Sequence, residues 1–482
     1  MGYIAAALNR NGEDASEAVA KMLQAAGGVN GVAYGLASPS QAEHHTRPPE
    51  FTSVTSDTVI GYKSTTSKDY PPQPLTQRSG SLCVNAALYG SDEPDTLTAA
   101  NLMEADPLLG LKKLMDSPGH HTAVQISPGR ILCSRDPVGT QPLYIAWNNE
   151  LYAAASNRKM IWSLGMEPTP LKPGHIACLT RAGVQDTEIT TLRRPEPLTD
   201  TPETILETLN AILREAAKDV SRKAPKGALA FSGGIDSTLA ALYLRDTGAD
   251  LNLICVGVDA RDEYRHAQAA ADSLGLDLQV NPVTVKELEE AIPDIVRSVE
   301  DSSPLAVGVA APLHFATKTA SEQGHTAIFT GNGSDEVFGG YKKYHAAYME
   351  NLAEAEEMML RDTAESWATN YDRDTKTCTD LGLNLLLPFA HPRVIGYGLR
   401  IPVELKLPKS VDQPRKIILR RLAQKHVLPE EVWARPKKAA QYSTGVHKAM
   451  ERLAKRRGMS LRGYLQEIYD ETRKELTHAR HT

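Results

Sequence analysis

Over the first 190 or so residues, short apolar runs alternate with turn-forming residues. Leu82-Cys83-Val84, Thr122-Ala123-Val124-Gln125-Ile126, Arg130-Ile131-Leu132-Cys133 and Leu151-Tyr152-Ala153-Ala154 read as strands. A helix is predicted at about 14–26, where Ala and Leu recur at helical spacing. The stretch Leu192-Arg193-Arg194-Pro195-Glu196-Pro197 is charged and twice broken by proline, so it reads as a linker. Beyond it the period changes. Ile205, Leu206, Leu209, Ile212 and Leu213 lie on one side of a helix predicted over 202–219. Strands at 228–231, 251–258, 278–283 and 326–330 then alternate with helices from about Asp236, at 263–274, near 286–298 and at 308–323. Such alternation implies a parallel sheet covered on both faces. The last 150 or so residues read as mainly helical, and the charged tail from His447 as a solvated amphipathic helix.

Composition narrows the class. The chain has 482 residues, with 41% hydrophobic and 23% charged, an ordinary globular balance that excludes a wholly disordered or fibrous chain. Lys and Arg total 53 against 59 Asp and Glu, a net charge of −6 that gives no case for broad nucleic-acid binding. Cys83, Cys133, Cys178, Cys255 and Cys378 are odd in number and widely spaced without a CxxC, so neither a zinc ribbon nor a redox pair is predicted. The expected setting is a reducing cytoplasm, with no signal peptide and no membrane span.

Candidate chemistry sits in two glycine turns. Phe231-Ser232-Gly233-Gly234-Ile235-Asp236-Ser237-Thr238 follows a predicted strand and opens a helix. Paired glycines let backbone N–H groups approach an anion, and a helix start favours phosphate. Asp236 is out of place beside phosphate unless a cation intervenes, and Mg²⁺ takes both kinds of oxygen. The turn lacks the GxxxxGK[ST] of Walker loops and the Rossmann GxGxxG. It resembles the SGGxDS pyrophosphate loop (PP-loop) of the ATP pyrophosphatases, which cleave ATP between the α- and β-phosphates.

The second turn, Thr330-Gly331-Asn332-Gly333-Ser334-Asp335-Glu336-Val337-Phe338-Gly339-Gly340-Tyr341, resembles the SGxGxDExFGGY signature of the asparagine synthetase family. Arg415-Lys416-Ile417-Ile418-Leu419-Arg420-Arg421 is similar to that family's KxxLR segment, and Leu428-Pro429-Glu430-Glu431-Val432 with Arg435-Pro436-Lys437-Lys438 to its LPxEI…RxK segment. Upstream, Arg135-Asp136-Pro137-Val138-Gly139-Thr140-Gln141-Pro142-Leu143-Tyr144, Ala155-Ser156-Asn157-Arg158-Lys159 and Pro173-Gly174-His175 resemble its ARDxxGxxPLYY, ASExK and PGH runs. The resemblance covers about residues 1–450.

It implies two domains of mixed α/β and α+β class. Residues 1–195 would form an N-terminal-nucleophile (Ntn) glutaminase-like αββα sandwich, and 196–482 a PP-loop parallel-sheet domain with a helical C-terminal part. It further implies ATP held by Ala230, Ser232, Gly233, Gly234, Asp236, Ser237, Val256, Thr330 and Gly331, with Mg²⁺ on Asp236 and Asp335. Lys437 or Lys438, Asp335, Glu336 and Asn332 would carry catalysis. The implied reaction makes an acyl-adenylate and pyrophosphate from a carboxylate, aspartate by default, then an amide from ammonia or an amine. The implied partners are these small molecules, a second copy of the chain or a separate ammonia-supplying chain, with no nucleic acid or membrane.

Three departures mark the N-terminal part. An Ntn glutaminase needs Cys at position 2, and the residue is Gly2. Asn85-Ala86-Ala87 stands where relatives hold glutamine with NGE, and Gly61-Tyr62-Lys63 supplies no arginine for the glutamine carboxylate. Loss of glutaminase activity is therefore expected. In the synthetase part, Asn332 stands at a usually acidic position, and Asn384, Leu386 and His391 replace Glu, Arg and Asp around Pro388-Phe389. An amide cannot act as a general base. These changes leave open a different acid, as in the related β-lactam synthetase, and a non-catalytic nucleotide-binding homologue.

Overall fold

The computed structural model describes residues 2–28, 33–46, 53–65, 71–258, 260–410, 413–436 and 440–478. Two antiparallel sheets occupy the N-terminal part. One runs in the order Thr169–Pro170, Tyr144–Trp147, Leu151–Ala155, Gly2–Asn9, Thr58–Ser64, Ala33–Ala37 and Ala42–His45. The other runs Gly183–Glu188, His175–Thr180, Arg130–Arg135, Gly119–Ser127, Gly80–Leu88 and Leu75–Gln77. Ile4, Ala6, Ile60 and Tyr62 of the first sheet pack with Cys83, Val124 and Ile131 of the second. The outer face of the first is covered by Ser16–Ala25 through Val19, Met22 and Leu23, and that of the second by Asp95–Met103 and Pro107–Asp116. Apolar residues on both faces of buried strands give the helix–sheet–sheet–helix layering.

A five-stranded parallel sheet forms the C-terminal part. Its strands are β1 (Lys226–Ala230), β2 (Asp250–Gly257), β3 (Leu278–Pro282), β4 (Ala327–Phe329) and β5 (Asn384–Leu386), in the order β3-β2-β1-β4-β5. The strand order reverses direction at β1, where an open parallel sheet leaves a crevice at the carboxyl ends of its strands. The helices used below are α1 (Pro202–Lys223), α2 (Ile235–Arg245), α3 (Ser334–Phe338), α4 (Leu352–Ser366), α5 (Asp372–Asp380), α6 (Ile417–Lys425) and α7 (Leu461–His478). A π-helical turn, Trp367–Tyr371, joins α4 to α5. The stretch 189–199 has no regular structure. Among the described residues no helix is long and apolar enough to cross a membrane.

Most predicted elements lie within a few residues of the observed ones. The helix expected at 308–323 begins earlier, at Pro304, because Ser303 caps it by accepting from Ala306 N–H. β5 was not expected. It is three residues long, and its Leu385 and Leu386 are buried in what reads as a helical region.

The two parts share a buried polar seam on one face of α5. Asp372 pairs with Arg135 and accepts from Tyr144. Lys376 pairs with Glu300 at 3.0 Å, whose carboxylate also accepts from the backbone N–H groups of Arg158 and Lys159. Asp380 accepts from Lys159 at 2.6 Å, Tyr3 at 2.5 Å and Ser298 at 2.7 Å. Positions 372, 376 and 380 recur every four residues, so they line one helical stripe.

Candidate functional site

β1 ends at Ala230, where the chain turns through Ser232, Gly233 and Gly234 into α2. Gly233 has φ +68°, and a Cβ there would lie 2.8 Å from Ala267 Cα, so only glycine fits. The turn is braced internally. Ser232 N–H donates to Ser237 Oγ at 3.3 Å, and Ser237 Oγ donates to the Gly234 carbonyl at 3.2 Å. Gly234 caps α2 without any side-chain hydrogen bond, which leaves the first-turn N–H groups to an anion. Val256, buried near the end of β2, is the neighbouring apolar wall.

The second turn leaves β4 beside the first. A Cβ on Gly331 would lie 2.8 Å from Asp236 Cβ and 3.0 Å from Ser237 N, so the absence of a side chain lets the turns touch. Thr330 Oγ1 accepts from Asn332 N–H at 3.3 Å. Asn332 Oδ1 accepts from Gly333 N–H at 2.8 Å, and its Nδ2 donates to Asp374 at 2.6 Å. Ala230, Ser232, Gly233, Gly234, Asp236, Ser237, Val256, Thr330, Gly331, Asn332 and Asp335 thus lie at or next to the carboxyl ends of β1, β2 and β4.

At the centre lies a residue not singled out in the sequence. Lys416 is 1% exposed, and its Nζ sits 2.5 Å from Asp236 Oδ1, 2.7 Å from Asp335 Oδ1 and 2.7 Å from Ser334 Oγ. Its backbone takes φ +62°, a sparsely populated conformation for a non-glycine residue and a mark of functional constraint. Gly340 makes room for it, since a Cβ there would come 1.7 Å from Asp335 Oδ1 and 2.6 Å from Lys416 Cε. The signal was its place at the head of the KxxLR segment. The arginine of that segment, Arg420, donates to the carbonyls of Trp433 and Arg435, and burial pushes its guanidinium down to about 10. Lys437 and Lys438 lie outside the described residues.

Glu336 turns away from this centre. It is 2% exposed and accepts from Tyr341 at 2.5 Å and Asn370 at 2.8 Å, tying the second turn to the π-helical segment. Burial, then the Asp335 charge, raise its carboxyl above the usual range. Leu386 is 4% exposed in the core. His391 is fully buried and stacked on Tyr89 at 4.5 Å, so that position faces the N-terminal part.

Two carboxylates converging on one ammonium match the donor set that Mg²⁺ uses with phosphate oxygens. Among the described residues no group of three or more His, Cys, Asp or Glu is arranged to hold a metal.

Around position 2 the N-terminal part is filled. Gly2 N–H donates to Asn85 Oδ1 at 3.0 Å, Asn85 Nδ2 donates to the Gly2 carbonyl at 2.7 Å, and Tyr62 Oη donates to Asn85 Oδ1 at 3.0 Å. A Cβ at position 2 would lie 2.2 Å from the Lys63 carbonyl. Cys83 is fully buried, and burial holds its thiol well above the usual range. Both features work against its acting as a nucleophile, because the thiolate is the reactive form.

The family described as Asparagine synthase matches residues 208–356 and 349–478. A putative glutamine-hydrolyzing asparagine synthetase 1 of Methanocaldococcus jannaschii is 27% identical over 375 residues, 68% of this chain and 69% of that protein. Asparagine synthetase [glutamine-hydrolyzing] 2 of Arabidopsis thaliana is 26% identical over 337 residues, 65% of this chain and 56% of its own length. The chain thus spans little more than half of the plant relative. Among solved structures, the glutamine phosphoribosylpyrophosphate amidotransferase of B. subtilis has a TM-score of 0.35 at 12% identity, over 58% of this chain and 80% of that one.

Proposed function

The chain belongs to the asparagine synthase family, and from that premise we propose that it is an ATP- and Mg²⁺-dependent ligase that joins a carboxylate to ammonia or an amine. The observation that carries the reading is the convergence of Asp236, Asp335 and Lys416 at the meeting point of two glycine turns. A carboxylate oxygen of the acid attacks the α-phosphorus of ATP, and the bond to the β-phosphate oxygen breaks. Pyrophosphate leaves and an acyl-adenylate remains. The N–H groups opening α2 and the Ser232 and Ser237 hydroxyls cradle the leaving phosphates. Lys416 supplies positive charge where negative charge concentrates. Mg²⁺, held by Asp236 and Asp335, would neutralise the phosphate oxygens. The nitrogen nucleophile then attacks the acyl carbon, the C–O bond breaks and AMP leaves.

Aspartate is the default acid. The neutral Asn332 favours a second reading, in which the acid or the amine differs. The N-terminal part is a glutaminase fold without glutaminase chemistry, because position 2 has neither a thiol nor space for one. The test is to incubate the protein with Mg·ATP, L-aspartate and ammonium and identify the nucleotide product. AMP with pyrophosphate, lost in Asp236→Ala and Asp335→Ala, is expected. ADP with phosphate, or no turnover with any acid tried, contradicts the reading.

A further inference from the structure

We propose that Asp374 is the carboxylate that receives the nitrogen nucleophile, as ammonium or a primary ammonium group, at the synthetase site. The assignment rests on the ligase reading above.

The turn after β4 carries a neutral side chain, Asn332, next to Gly331, the residue through which the turn meets the ATP loop. Its orientation is not arbitrary. Gly333 N–H can only donate, so the group facing it at 2.8 Å is Oδ1, and Nδ2 must face Asp374. Asp374 therefore accepts from Asn332 with one oxygen, while its other oxygen accepts from Arg373 Nε at 2.7 Å. An ionised carboxylate offers about four acceptor directions, and these two bonds use half of them. The nearest ATP-loop acid, Asp236, touches Gly331, the residue next to Asn332. A cation docked at Asp374 would thus lie beside the turn that meets the ATP loop.

The helix geometry delivers this carboxylate by design of the chain. Asp372, Lys376 and Asp380 hold the stripe of α5 that faces the N-terminal part. Asp374, two residues on from Asp372, projects roughly 200° around the helix, toward the turn after β4. The π-helical turn just before it docks on the same loop. Asn370 donates to Glu336 at 2.8 Å, and Tyr371 Oη lies 2.9 Å from where a Gly333 Cβ would stand. Extra residues inserted as π turns recur at functional sites. Two contacts from the π-helical turn, 370 to 336 and 371 to 333, and one from α5, 374 to 332, pin this segment to the loop.

In the second half-reaction the ammonium gives one proton to Asp374. The freed lone pair forms the C–N bond at the acyl carbon. The C–O bond to the phosphate breaks with its electron pair leaving on AMP, and the second N–H proton passes to water. Asp374 then returns its proton to water.

The experiment uses L-aspartate as the probe acid and ammonium chloride as the nitrogen source. Pyrophosphate–ATP exchange reads adenylate formation, and asparagine reads amide formation. Asp374→Asn should keep exchange within about threefold while amide formation falls by about 100-fold. Its ammonium KM should rise, and the double variant Asn332→Asp/Asp374→Asn should recover about tenfold of the loss by moving the carboxylate onto the loop. Amide formation at the wild-type rate in Asp374→Asn overturns the assignment. An equal fall of exchange and amide formation also overturns it, because that is what a structural residue would give. Absence of exchange in the wild-type protein fails the ligase reading itself, and the assignment falls with it.

Discussion

Lys416 is the residue on which the nucleotide site turns. Two carboxylates within 2.7 Å of its Nζ are held together by one buried ammonium. Lys416→Met should lower the rate of pyrophosphate release by about 100-fold, in the range seen when one charge-stabilising group is removed from a preorganised site. Single-turnover pyrophosphate release is the measurement. The residue was legible as part of a similar segment but not as a site residue, since any lone lysine is by default a surface charge. What betrays it is burial and a left-handed backbone, both products of tertiary structure. Gly2 behaves in the opposite way. The missing thiol was plain in the sequence, whereas the filled space at position 2 was not. Gly2→Cys should release no glutamate from glutamine and should lower the melting temperature, because its Cβ would meet the Lys63 carbonyl at 2.2 Å.

At the scale of elements, the strongly periodic segments were legible. α1 and the alternation through β4 follow from apolar spacing and from turns rich in glycine. β5 was not, because a three-residue strand has no period of its own and is made by pairing with β4. α5 lies in the stretch read as mainly helical, but the burial of its charged run Asp372-Arg373-Asp374-Thr375-Lys376 was not legible. Its charges are buried because each finds a partner on another element, which one chain segment cannot disclose. Lys159→Met would strip the buried Asp380 carboxylate of its cation. Breaking such a pair from one side costs about 3–5 kcal/mol, read as a lower urea midpoint at unchanged slope.

At the scale of the molecule, the N-terminal part braces α5 and so holds the face that carries Asp374. Further along the same interface, His391 accepts from Arg393 N–H through Nδ1, which leaves its proton on Nε2, 3.3 Å from Asp219. It is packed against Tyr89, with His120 and Arg393 nearby, and burial followed by these two charges pushes it down to about 3. His121, fully enclosed beside Asp136 and His120, is pushed down to about 4. Unfolding frees both to protonate near their ordinary value. Stability is therefore complete above about pH 6.5 and falls as the pH drops toward the folded values, by up to about 1.4 kcal/mol per unit per histidine. The melting temperature should decline from pH 7 to pH 5, and His391→Gln should flatten that slope. An unchanged slope in the variant contradicts the assignment.

The central claim is that a substrate carboxylate becomes joined to the α-phosphate of ATP. The most direct test is to supply L-aspartate labelled with ¹⁸O in its carboxylates, with Mg·ATP and ammonium, and to weigh the AMP formed. The account predicts one ¹⁸O in the AMP phosphate, in step with amide formed. Unlabelled AMP, or ADP in its place, would contradict it.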